Sequence, residues 1–169
     1  MTNAFRDQVL AGKTAFVAGA SSGINLGIAQ HFARAGAKIA LISRSHDKIT
    51  AAAKTISDEG FEAIGIAADV RDFNSVDTAM KRAQEHLGNF DIVISGAAGN
   101  FVAPALGMSS NGFKTVVDID LIGTFNVLRA SFQYLTRPGA SLISITAPQG
   151  VNPSLFQAHV CAAKAGINM

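Results

Sequence analysis

Thr14-Ala15-Phe16-Val17-Ala18-Gly19-Ala20-Ser21-Ser22-Gly23-Ile24-Asn25-Leu26-Gly27 is the stretch on which the reading of the fold turns. Its first five residues are an apolar, β-rich run without polar alternation, the pattern of a strand buried on both faces. Two glycines four residues apart follow, and then Ile28 and Phe32 recur at helical spacing up to a stop at Gly36. A buried strand, a tight glycine-bearing loop and a helix are therefore packed into the first part of the chain.

The same unit repeats outward from there. Further apolar runs lie at Lys38–Ser43, Glu62–Ala67, Phe90–Ser95 and Ser141–Ile145. Between them stand Ile49/Ala52/Ala53/Ile56 before Gly60 and Val76/Met80/Ala83/Leu87 before Gly88, each a helical stripe ended by glycine. A longer helix is predicted from about Phe113 to Leu135, stopped by Arg137-Pro138-Gly139. The order β-α-β-α-β-α-β-α-β implies right-handed crossovers and a doubly wound parallel sheet in three α/β/α layers. In such a sheet, ligands bind at the carboxyl ends of the strands, near the switch in strand order.

Bulk properties agree. A chain of 169 residues has the size of one domain, able to bury roughly 70% of its unfolded surface. Hydrophobic residues make up 49% and charged residues 15%, which excludes disorder. The net charge of +2 comes from scattered Lys and Arg, so no basic face points to nucleic acid. No apolar run approaches the roughly 20 residues of a membrane helix. Cys161 alone cannot form an intrachain disulfide, and Met1–Leu10 has no signal-peptide pattern, so a cytoplasmic protein is expected.

The loop Gly19-Ala20-Ser21-Ser22-Gly23-Ile24 between strand and helix is where a dinucleotide pyrophosphate would lie. Glycine lets the backbone approach the phosphates, and the free amides opening a helix donate to them with a favourable dipole. That makes the fold Rossmann-type, and residues 1–169 one nucleotide-binding domain. A carboxylate ending the second strand would select NAD by binding its ribose hydroxyls, but here that strand ends Ile42-Ser43-Arg44-Ser45. Arg44 can pair with a 2′-phosphate and stack beside adenine, with Ser43 and Ser45 adding hydrogen bonds, so NADP(H) is the expected cofactor.

Ala18–Gly27 together with Ser95-Gly96-Ala97-Ala98-Gly99 resembles the short-chain dehydrogenase/reductase family, across nearly the whole chain. Asn25 departs from that family's Gly-x-x-x-Gly-x-Gly, standing where its third glycine falls; Asn tolerates unusual backbone angles better than most residues. The resemblance implies that Asp69-Val70 borders the adenine, that Ala97, Ala98 and Gly99 line the cofactor cleft, and that Lys164 binds the nicotinamide ribose. It also implies a homo-oligomer. Relatives continue past the Lys164 helix with two strands and a substrate-covering lobe, so the sheet is expected to lack its last strands and the domain to be incomplete.

Most of that family reduces carbonyls with Tyr-x-x-x-Lys and a serine thirteen residues before the tyrosine. Lys164 fits the lysine, but Val160 and Ala147 occupy the other two positions and cannot donate a proton. Gly99-Asn100-Phe101, Asp118-Ile119-Asp120, Gly123-Thr124-Phe125-Asn126, Thr146-Ala147 and His159 resemble the 2,4-dienoyl-CoA reductase branch, peroxisomal type, where that tyrosine is also missing. This implies an acyl-CoA thioester substrate, with Asp120 and Lys164 as catalytic residues and Asn100 and Phe101 beside the nicotinamide. On a regular helix Asp120 shares the inward stripe with Phe113, Val117 and Thr124, and Asp118 points about 200° away. A carboxylate on that stripe is costly unless paired, hydrated or functional. His159 reads as a local hydrogen-bonding residue with acid chemistry as the alternative. His31, His46 and His86 read as solvated, and Cys161 as packing. Reduction of a 3-oxoacyl or other carbonyl substrate, and a non-catalytic dinucleotide-binding subunit or inactive fragment, remain open at this point.

Overall fold

A computed structural model describes residues 8–169. Most of Met1–Leu10, read above as free of a signal peptide, lies outside the described residues.

Five parallel strands form one sheet in the order β3-β2-β1-β4-β5. They are β1 (Thr14–Ala18), β2 (Lys38–Ser43), β3 (Ala63–Ala67), β4 (Ile92–Ser95) and β5 (Ser141–Ser144). The first two match the apolar runs end to end, and the others are one or two residues shorter. Phe90, expected in β4, forms an isolated bridge with Leu135 and is fully buried.

Alternation along β1 explains the three layers. Ala15 and Val17 join a core cluster with Ala29 and Ala33 of α1 (Gly23–Arg34) and Ile49 and Ile56 of α2 (His46–Ser57). Phe16 and Ala18 face the other way, toward Val76 and Met80 of α3 (Phe73–Leu87) and toward Val127. Both faces are thus covered, as the lack of polar alternation along the strands required. Each large side chain fully buried there contributes about 1.5–3 kcal/mol. β5 is the exception: Leu142 and Ile143 are 47% and 40% exposed, because β5 is the last strand of the described sheet.

Helix starts follow local chemistry. The Ser45 hydroxyl accepts from Lys48 N at α2, the Asp72 carboxylate from Asn74 N at α3, and the Ser109 hydroxyl from Gly112 N at α4 (Ser110–Val117). Gly88, at φ +88°, closes α3. α1 differs from these three: Ser22 stands at its N-cap without a side-chain hydrogen bond, which leaves the opening amides free.

The expected long helix from Phe113 to Leu135 is not continuous. α4 runs into a π turn, Asp118–Ile122, before α5 (Gly123–Ser131) resumes, and the Gly123 amide donates five residues back to the Asp118 carbonyl. The wider turn shifts the inward stripe. Val116, Ile119, Asp120, Gly123, Thr124 and Val127 are buried, whereas Phe113 is 39% exposed and Val117 only half-buried. Two contacts hold the distortion: a Cβ on Gly123 would lie 2.7 Å from Val70 Cγ2, and Asn126 Nδ2 donates to the Val70 carbonyl at 2.8 Å. α6 (Ala158–Asn168) packs across α4 and the π turn. No helix among the described residues is long and apolar enough to cross a membrane.

Candidate active site

The carboxyl ends of β1 to β4 surround a cleft of about 530 Å³. From the first loop it is lined by Gly19, Ser21, Ser22 and Asn25; after β2 by Ser43, Arg44, Ser45 and Lys48; and after β3 and β4 by Asp69, Val70, Ala97 and Ala98. Ten of the fourteen residues expected to bind the cofactor therefore converge. Gly23, Ile24, Gly99 and Lys164 do not line it: the first two open α1, where Ile24 is 75% exposed.

The loop is held by close backbone approach. Gly19 has φ +77°, and a Cβ there would lie 2.6 Å from Ala97 Cα, so only glycine fits. Asn25 contributes differently from the expectation. It lies in α1 with no positive φ, and its side chain is the working part: Nδ2 donates to the carbonyls of Gly96 at 2.7 Å and Gly19 at 3.2 Å. The amide ties the first loop to the β4 loop. Its Oδ1 is buried without a partner.

Two residues, one lining the cleft and one paired with a lining residue, went unread in the sequence. Lys48, four residues past Arg44 on the first turn of α2, adds a second exposed cation to the cleft. Arg71 pairs with Asp69 through its guanidinium, and that hydrogen bonding holds the Asp69 carboxyl below the usual carboxylate range. Among the described residues Arg44 has no ion pair, so it and Lys48 stand open toward an anion. With the uncapped α1 amides and the space against Gly19, this donor set fits a phosphorylated dinucleotide.

Beside the cleft lies a buried ion pair. Asp120 and Lys164 are 1% and 6% exposed, and Lys164 Nζ is 3.2 Å from Asp120 Oδ2. Lys164 also donates to the Ile145 carbonyl at 3.2 Å, and the Gly99 amide donates to Asp120 Oδ1 at 2.7 Å. Gly99 thus orients the acid rather than lining the cofactor cleft. The approach angle of Lys164 leaves Asp120 Oδ2 without a formed hydrogen bond, so one lone-pair direction is unused. Asp118 turns away as expected and pairs with Lys114.

Val160 is buried on the Lys164 face of α6, where a tyrosine is usual. The only tyrosine of the chain, Tyr134, cannot replace it. Its hydroxyl donates to Asp77 at 3.0 Å, and burial together with that hydrogen bond pushes its pKa up to about 12. Thr124 Oγ1 accepts from Ser95 Oγ at 3.1 Å and fastens α5 to the end of β4.

Phe101 follows the Gly99 loop and is 41% exposed, with its ring centroid 4.3 Å from that of His159. His159 is fully buried and neither ring nitrogen has a partner, contrary to the expectation of local hydrogen bonding. His31, His46 and His86 are exposed. A second hollow, about 360 Å³, lies between Ala105–Phe113 and Ala158, next to the Phe101–His159 stack.

Comparison with known proteins follows the same lines. The chain is 36% identical over 177 residues to the peroxisomal 2,4-dienoyl-CoA reductase, (3E)-enoyl-CoA-producing, of Arabidopsis thaliana, covering 99% of this chain and 59% of that protein. It is 40% identical over 166 residues to the protein of the same description in Mus musculus, covering 97% of this chain and 57% of that one. It thus spans less than two thirds of the length of these curated relatives. Among solved structures, a citronellol catabolism dehydrogenase of Pseudomonas aeruginosa PAO1 superposes with a TM-score of 0.90 at 27% identity, covering 99% of this chain and 69% of that one. The family model for short chain dehydrogenases matches residues 13–169, nearly the full length, and the chain belongs to that family of oxidoreductases.

Proposed function

We propose that this chain carries the NADPH-binding and acid-base part of a reductase acting on 2,4-dienoyl-CoA thioesters. The observation that carries the reading is the buried Asp120–Lys164 pair next to Val160 and Ala147, an acid-base site without the hydroxyl donors that ketone reduction needs. NADPH preference is supported by Arg44 and Lys48 at the cleft rim, and the relatives' names support the substrate class.

The bound nicotinamide supplies a hydride. A (3E)-enoyl product keeps its double bond between C3 and C4, so the hydride goes to C5 of the diene and a proton to C2. Charge left by the hydride spreads through the conjugated system to the thioester oxygen, which needs hydrogen bonds rather than a strong acid at once. Asp120 Oδ2, with its unused lone pair, holds the water that delivers the proton to C2. Lys164 Nζ stands against Asp120 Oδ2 and adds positive charge beside the developing enolate. Gly99 fixes the orientation of the carboxylate. The hollow by Phe101 takes the acyl chain.

Oxidation of NADPH with 2,4-hexadienoyl-CoA and with acetoacetyl-CoA tests this. Faster turnover of the dienoyl compound is expected; faster turnover of the oxo compound rejects it in favour of a carbonyl reductase. NADPH binding with neither turnover favours a non-catalytic dinucleotide-binding subunit. A homo-oligomer belongs to the proposal, supported by Ile122, Phe125 and Phe132 at 42%, 59% and 64% exposure along the outer side of α5. Cytoplasmic residence, proposed from the lone Cys161, stands beside relatives named as peroxisomal, and cell fractionation decides between them.

A further inference from the structure

His159 is the largest electrostatic anomaly of the molecule outside the Asp120–Lys164 pair. Its imidazole has no exposed surface, and both Nδ1 and Nε2 lack a hydrogen-bond partner. Leaving one buried polar group unpaired costs about 1–3 kcal/mol. The tilted contact with Phe101, at 4.3 Å and 54°, returns only about 0.5–1.5 kcal/mol. A leucine would pack the same space without that loss.

The cover over His159 is light and its frame is firm. Phe101 is 41% exposed and its ring lies against the imidazole, so one side chain reaches from His159 to solvent. On either side the loop is fastened: the Gly99 amide to Asp120, Asn100 Nδ2 to Gln157 Oε1 at 3.2 Å, and the Ala103 amide to the Phe156 carbonyl at 3.0 Å. Rotation of the Phe101 side chain requires no movement of the loop backbone. His159 is tied to the reacting end of the site through Phe101, which stacks on it two residues beyond Gly99, whose amide holds Asp120.

We infer that His159 is a specificity-determining hydrogen-bond donor for the thioester carbonyl of the acyl substrate, covered by Phe101 until the substrate turns that ring aside. The inference rests on the acyl-CoA reading above and adds to it the group that recognises the thioester. It gives the orphaned imidazole its partner in the bound state. It also supplies the enolate oxygen with a donor that Val160 and Ala147 cannot offer.

The test compares two ligands on the NADP+ complex of the whole chain: 2,4-hexadienoyl-CoA, and the 2,4-hexadienyl thioether of CoA, which lacks the carbonyl oxygen. The wild type is expected to bind the thioester about tenfold more tightly. His159→Phe, which fills the space, erases that preference; His159→Gln, which keeps a donor, retains part of it. NADP+ affinity stays unchanged in both variants and reports that they fold. A packing role would instead weaken both ligands equally and leave their ratio intact, and that result overturns the inference. Equal binding of both ligands by the wild type overturns it too, with the acyl-CoA reading left standing. Binding of neither ligand removes both. Labelling by diethyl pyrocarbonate checks the cover separately: His159 should react at least about tenfold more slowly than exposed His31, His46 and His86, and Phe101→Ala should close that gap. A fast His159 in the wild type, or a slow one in Phe101→Ala, overturns the gate.

Discussion

Around Gly19–Asn25 and Arg44–Lys48 the polar groups stand open, while around Asp120, Lys164 and His159 they are sealed. The first region binds with unpaired cations at the rim and helix amides that no side chain caps. The second holds a carboxylate, an ammonium and an imidazole at 1%, 6% and 0% exposure. Open charges attract and orient an anion at little cost because water solvates them beforehand. Sealed charges are expensive to keep and act strongly, since low dielectric amplifies each contact. On the proposed reading the open half serves affinity and the sealed half chemistry, and substitutions should separate them.

The largest effect belongs to the sealed region. Asp120→Asn should lower turnover of 2,4-hexadienoyl-CoA by at least about a hundredfold, with NADPH affinity unchanged by fluorescence titration; unaltered turnover would take Asp120 out of the site. Lys164→Met should cost about 3–5 kcal/mol of unfolding free energy, because it strands the buried Asp120 charge. Combining the two substitutions should recover part of that loss without recovering turnover.

The open region should respond in binding alone. Arg44→Asp is expected to shift the NADPH-to-NADH affinity ratio toward NADH by on the order of a hundredfold, the worth of a charge-assisted contact replaced by repulsion. A ratio that stays put would defeat the assignment of Arg44 to the 2′-phosphate. Asn25→Gly, which restores the glycine usual in the family, should weaken NADPH by about tenfold rather than strengthen it, because the tie to Gly96 is lost. Tighter binding would mean that Asn25 obstructs the pyrophosphate.

The smallest effect concerns acid stability at the rim. Arg71 lowers the folded-state pKa of Asp69, so the pair stabilises the fold above the unfolded value of about 3.9 and that stability fades as pH falls through the lower, folded value. Asp69→Asn should therefore lose less than about 1 kcal/mol at neutral pH, and the difference from wild type should vanish in strong acid. A deficit that persists there would point to the Asp69 hydrogen bond to the Arg71 amide instead.

What the sequence disclosed divides along the same line. β1, β2 and the cleft residues Gly19, Ser21, Ser22 and Ser43–Ser45 were legible from local pattern, an apolar run, a glycine-bearing loop and a basic residue ending a strand, whereas Asp69, Val70, Ala97 and Ala98 came from the family resemblance. Asp120 and Lys164 were singled out as residue types in a family pattern, and they meet as a buried pair, yet the construction around them was not legible. The π turn arises because Gly123 admits Val70 and Asn126 holds the Val70 carbonyl, contacts 53 and 56 residues away in the chain that no helical period encodes. Asn25 gave the right anomaly and the wrong reason, since backbone tolerance is local and its actual bond to Gly96 spans 71 residues. Lys48 was within reach: it lies one helical turn beyond Arg44 at a start already marked by Ser45. His159 was not, because its isolation depends on Phe101 arriving from another loop.

The turn at Asp118–Ile122 can be viewed as an α-helix that has accepted one surplus residue. Excising any one residue there should heal the helix and leave α4 and α5 on the faces they already present, because the wide turn itself absorbs the surplus residue's rotation of about 100°. Such a segment, off the regular α-helical ladder and pinned from outside, should exchange its amide hydrogens earlier than α3 or α5. Ligands that load the neighbouring cleft should slow that exchange, making the widened turn a built-in reporter of occupancy.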